Sequence, residues 1–99
     1  MVAIDFHPLA ELELRDAVNY YAEIDDELGR DFRIRVEKTC RLITKDPEIW
    51  RDRGSYQRYN LLRFPYYVAF VVRDETLWVV AVAHAHREPD YWTQRIDGL

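Results

Sequence analysis

The sequence predicts an α+β fold with the element order β-α-α-β-β-β, in which a helical hairpin covers one face of a mostly antiparallel sheet. Three observations predict it. Apolar residues recur at offsets of three, four and seven between residues 9 and 44, the spacing of a buried helical stripe. From residue 56 onward they recur at every second position, the spacing of strands. Neither pattern hides its apolar side alone, so the two layers must pack on each other. Ninety-nine residues, 48% of them hydrophobic, suit a single domain spanning residues 1–99.

The first element is a short strand, VAIDF (residues 2–6), followed by Pro8 in the first turn of a helix that runs from Leu9 to about Ile24. Its apolar stripe is Leu14, Ala17, Val18 and Tyr21, with Glu11, Glu13, Arg15, Asp16 and Asn19 off the stripe. The acids Asp25, Asp26 and Glu27 interrupt and can cap the next helix, expected from Glu27 to Thr44. Leu28, Phe32, Val36, Thr39, Cys40 and Ile43 form its inner face, and Pro47 is expected to stop it. A polar loop, WRDRGS (residues 50–55), leads into three strands: YQRYNLL (56–62), YYVAFVV (66–72) and LWVVAVAHA (77–85). Pro65 separates the first two, and the turn RDET separates the last two.

Composition narrows the function classes. Cys40 is the sole cysteine, so no intrachain disulfide is possible, and its place on the helical stripe makes it a small core residue. The N-terminal residues do not follow the pattern of a secretory signal, and no segment approaches the ~20 apolar residues of a membrane span, so a cytoplasmic protein is expected. Residues 1–50 carry seven basic and twelve acidic side chains, residues 51–99 seven basic and six acidic. The basic groups of the second half are all arginines, suited to bidentate contacts with carboxylate or phosphate. A pI near 5.3 is nevertheless far below the value above ~9 usual for a nucleic-acid-binding domain. The chain has no phosphate-binding glycine loop, no G-x-S-x-G and no H-E-x-x-H.

The stretch AVAHAHREPDYW (81–92) gathers the reactive side chains. Alternation along the last strand places Trp78, Val80, Val82, His84 and His86 on one face, and Leu77, Val79, Ala81, Ala83, Ala85 and Arg87 on the other. A metal shared by His84 and His86 would need further ligands, and neither His7 nor Cys40 stands at a ligand spacing, so no metal or cofactor is expected. With Arg87 and Tyr91, however, the histidines supply a proton-transfer group, a cation for developing phosphorane charge and a ring that can stack on a base. That is the equipment of metal-free RNA cleavage. The competing reading is structural: histidines at an ordinary strand end, and Tyr91 and Trp92 as packing aromatics of a C-terminal turn begun at Pro89. The tyrosines Tyr20, Tyr21, Tyr66 and Tyr67 are likewise read as core.

The chain resembles the RelE/ParE superfamily of type II toxin-antitoxin toxins nearly end to end. The resemblance is carried by FHPLAELELRDAVNYY, LGRDFRIRVE, the DP that ends the second helix, LLRFPYYVAFVV and VVAVAHAHREPDYWTQR. It implies the fold already read and a cognate antitoxin encoded nearby, docking through an amphipathic helix or strand on the helical hairpin or sheet edge. Two targets follow from it. RelE-like members cut mRNA on the ribosome, a role in which His84, His86, Arg87 and Tyr91 would be catalytic and Arg58 or Arg63 would bind phosphate. ParE-like members lack that constellation and poison DNA gyrase. The chain's only lysines, Lys38 and Lys45, lie in the helix-two region, so the lysine-rich stretch of many ribosome-dependent members is absent. The HREPDYW ending is similar to ParE-like and plasmid stabilisation proteins. The expected function is therefore a ParE-like growth-arresting toxin, with a ribosome-dependent endonuclease as one alternative and an inactive antitoxin-binding module as another.

Overall fold

The computed structural model describes residues 3–46, 48 and 56–99. The expected helix stop at Pro47 and the loop 50–55, with Arg51 and Arg53, lie outside the described residues. The elements are β1 (Ala3–Phe6), α1 (Pro8–Ile24), α2 (Asp26–Thr44), β2 (Gln57–Asn60), β3 (Tyr66–Arg73), β4 (Thr76–His84) and a C-terminal 3₁₀ helix (Thr93–Gly98).

Pro8 opens α1, and the Nδ1 of His7 accepts a hydrogen bond from Leu9 N at 3.1 Å, doing the work usually left to Ser, Thr, Asp or Asn. A single extended residue, Asp25, joins the helices. Its amide closes the end of α1 on Tyr21 O, and its carboxylate accepts from Glu27 N at 2.8 Å to cap α2. The tight link brings the helices together at Gly29, where a Cβ would meet Ala22 Cβ at 2.8 Å and Val18 O at 2.9 Å. Only glycine permits that approach.

The sheet order is β1-β4-β3-β2, with β1 parallel to β4 and the other pairs antiparallel. The β3–β4 turn narrows to Asp74 and Glu75, both at positive φ (51° and 58°), the backbone of a two-residue hairpin with primed twist. Strand β2 is shorter than the 56–62 expected. It ends at Asn60 because Leu61 and Phe64 turn inward to the core, a loop closed by Leu61 N donating to Tyr66 O at 3.0 Å.

One face of the sheet receives the hairpin. Ala10, Leu14, Ala17, Phe32, Val36, Cys40 and Ile43 pack on Val68, Phe70, Val72, Leu77, Val79 and Val82. Cys40 is a core residue as expected, and burial, then the charge of Glu37, pushes its thiol up to about 11. The second face is closed by the chain's last residues. Trp92 and Ile96 cover Tyr67, Ala69, Val71, Val80, Ala81 and Ala83, and Trp92 Nε1 donates to Tyr67 Oη at 2.9 Å.

Simple alternation fails on β4. Ala69 pairs with Ala81, but Phe70 pairs with Val79, so Val80 is an extra residue and the strand is bulged there. Val80 and Ala81 consequently lie on the same face, and everything beyond is inverted. Val82 joins the helix-side core while Trp78 and Val80 belong to the opposite one, which corrects the expectation that all three share a face with His84. His86 lies past the end of the strand.

Candidate functional site

His84 ends β4 on the helix side of the sheet, half-buried, with its ring edge-on to Tyr66 at 5.1 Å between centroids. The chain then turns sharply: Ala85 N donates to Pro65 O (2.7 Å), His86 N to His84 Nδ1 (3.0 Å) and Arg87 N to His84 O (3.1 Å). With Nδ1 accepting, a neutral His84 carries its proton on Nε2. The two imidazoles are 5.4 Å apart, and Arg87 lies with its guanidinium 3.8 Å over the Tyr91 ring. A cleft of about 250 Å³ beside them is lined by Glu13, Asp16, Tyr20, Tyr66, His84 and Tyr91, among others. The structure thus gathers His84, His86, Arg87 and Tyr91 as expected, with Tyr20 exposed at the cleft mouth and not in the core as the sequence suggested.

It does not bring the other two candidates to them. Arg58 is on edge strand β2 over the rings of Tyr67 (5.2 Å) and Trp92 (5.9 Å), on the opposite face of the sheet, and is ion-paired with Asp90. Arg63 is exposed in the β2–β3 loop, in left-handed backbone at φ 75°.

The centre of the cluster is a residue that periodicity assigns to the solvent side. Glu13 on α1 keeps only 14% of its side chain exposed. Its carboxylate accepts from Tyr91 Oη, from both Nη atoms of Arg95 (2.8 and 3.2 Å) and from Val82 N (3.1 Å), with Arg87 Nη1 at 3.7 Å. Arg95, 12% exposed, also donates to Val80 O at 3.0 Å. These contacts have a cause in the sheet: β1 ends opposite Val79, so the Val80 carbonyl and Val82 amide lie on a bulged stretch of β4 beyond the last β1 partner. Side chains supply what the missing strand would have given. The sequence signal for Glu13 is faint, because its flank position beside Ala10, Leu14 and Ala17 is equally compatible with a solvated charge.

Burial first, then the hydrogen bond to Glu13 and that carboxylate's charge, push the Tyr91 phenol well above its ordinary range, against the lowering influence of Arg87 and Arg95. The folded state thus favours the protonated phenol. That stabilisation is complete below the unfolded tyrosine value of about 10 and is lost as pH rises through the higher folded value. Burial also raises the phenols of Tyr21 and Tyr66, less strongly, so tyrosinate absorbance should show the latest-titrating phenol of the wild type absent in Tyr91→Phe, whose stability should fall less steeply above pH ~10. An unchanged latest titration step in Tyr91→Phe would refute the assignment.

Chemically, the cluster is committed to itself. Tyr91 donates its proton to Glu13, and two arginines already share that carboxylate. The Tyr91 hydroxyl and both guanidiniums are therefore already engaged by one carboxylate. Among the described residues no three His, Cys, Asp or Glu side chains are grouped to hold a metal, and no helix is long and apolar enough to cross a membrane.

Comparison with known proteins gives a consistent picture. Residues 4–89 match the family model of the ParE toxin of the type II toxin-antitoxin system parDE. Two curated relatives, "Toxin ParE2" from Mycobacterium tuberculosis strains CDC 1551/Oshkosh and H37Rv, are each 30% identical over 94 residues, covering 93% of this chain and 90% of theirs. A solved structure titled "Chromosomal ParDE TA system from P. aeruginosa" superposes with a TM-score of 0.71 over 87% of this chain and 98% of that one. Its 13% identity makes it a likeness of fold.

Proposed function

The chain belongs to the ParE toxin family of type II toxin-antitoxin systems, and from that premise we propose that it arrests growth by inhibiting DNA gyrase in the cytoplasm. In this reading it is the toxin of a plasmid-stabilisation module and is neutralised by a cognate antitoxin. The observation that supports a non-nuclease action is the engagement of Glu13 with Tyr91, Arg87 and Arg95, which ties up the Tyr91 hydroxyl and shares both cations of the cluster with a carboxylate. The acidic pI of 5.3 agrees with a protein target better than with ribosomal RNA.

Purified toxin should block gyrase supercoiling and accumulate cleaved DNA complexes. His84→Ala and Arg87→Ala should retain that inhibition within about threefold, since Arg87 is 57% exposed and surface changes of this kind cost little. Supercoiling unaffected by excess wild-type toxin would overturn the proposal. Cleavage of ribosome-bound mRNA that falls by a factor on the order of 10² to 10⁴ in stably folded His84→Ala or Arg87→Ala would establish the endonuclease in its place.

A further inference from the structure

Strand β1 is an edge strand whose outer side is open among the described residues. Its register on β4, with His7 N donating to Val79 O at 2.8 Å, directs the N–H and C=O groups of Asp5 toward β4 and those of Ile4 and Phe6 outward. No described residue hydrogen-bonds these outward groups. They face a groove of about 520 Å³ between β1 and the helices, lined by Ile4, Phe6, Leu14, Arg15, Arg33 and Glu37, among others, and continued by a smaller cleft of about 190 Å³ that reaches Cys40. The strand carries no proline, no lysine and no bulge, and its one charge is Asp5.

We infer that this edge takes an extended segment of the antitoxin as a fifth strand, carrying an apolar-basic-apolar triplet. The inference rests on the antitoxin-partner reading above. On a strand added here, side chains beside Ile4 and Phe6 point to the helix side, over the apolar floor formed with Leu14 and Cys40. The residue between them points the other way and lies beside exposed Asp5, which has no ion pair among the described residues, so a Lys or Arg there is the complementary choice. A second copy of this chain fits badly: a two-fold pairing that engages every outward group sets Asp5 against Asp5.

Residue-resolved amide exchange, on the toxin alone and with the antitoxin encoded beside it, tests this. Asp5 and His7 amides should be protected in both states. Ile4 and Phe6 amides should exchange fast in the free toxin and slow by a factor on the order of 100 in the complex. Asp5→Lys, at an exposed side chain, should weaken the complex about fivefold with helix content unchanged. A stable complex in which Ile4 and Phe6 still exchange fast overturns the docking site and leaves the antitoxin reading intact; no complex removes both. Concentration-dependent slowing in the toxin alone would mark self-pairing and also overturn it, and unchanged affinity of Asp5→Lys would remove the basic residue from the triplet.

Discussion

Glu13→Ala should lower stability by about 3–5 kcal/mol, the range for removing one partner of a buried ion pair. The reason is what remains. Arg95, only 12% exposed, keeps its charge without a counter-ion, the Val82 amide loses its acceptor and the Tyr91 hydroxyl loses its own. For a domain of this size the melting temperature should fall by more than about 10 °C. Glu13→Gln, which keeps an acceptor but not the charge, should fall between wild type and alanine. Glu11→Ala, at an exposed side chain two residues away on α1, should stay within ~0.5 kcal/mol of wild type. Thermal and urea unfolding of the four proteins decide it, and a Glu13→Ala no less stable than Glu11→Ala would show that the carboxylate does not close the edge of β4.

The second large effect is expected at Trp92, which is 0% exposed and is the largest fully buried side chain on the sheet face away from the helices. Trp92→Ala should cost about 3–5 kcal/mol through lost burial and the cavity left beneath the C-terminal segment. Trp92→Phe separates two contributions, because it retains most of the ring but leaves the Tyr67 hydroxyl without its indole donor at 2.9 Å. It should cost about 1–2 kcal/mol. Near-ultraviolet circular dichroism alongside denaturant unfolding checks both. Loss of less than ~1 kcal/mol in the alanine variant would mean that residues 92–99 do not hold the second face.

What could be read from the sequence, and what could not, follows from the range of the interactions. The helices were legible because their stripes repeat locally, and Asp25 announced the boundary between them by its chemistry. Pro65 and the polar turn at Asp74 likewise divided the strands correctly. The face of His84 relative to Trp78 was not legible, since one extra residue at Val80 inverts the alternation and valine is equally at home on either side. Glu13 and Arg95 were missed for a related reason. Their burial depends on β1 ending opposite Val79, a property of pairing between distant segments that leaves no mark on either residue's neighbours. Of the candidate site, the local cluster His84, His86, Arg87 and Tyr91 was found, while the role of Arg58 was not, because its ring partners Tyr67 and Trp92 belong to other elements.

The pairing of β1 with β4 also governs when the molecule can come into being. Ala3–Phe6 are synthesised some seventy residues before their partners Thr76–Val79, and Glu13 must wait for Val82, Tyr91 and Arg95. The helical hairpin can form early from its own local contacts, whereas the sheet closes only once residues 76–95 are free to meet residues 3–13. During synthesis the apolar stripes of α1 and α2 therefore have no sheet to cover, and Ile4 and Phe6 are loose chain and not yet a strand edge. A partner that reads that edge meets a finished toxin, never a growing one.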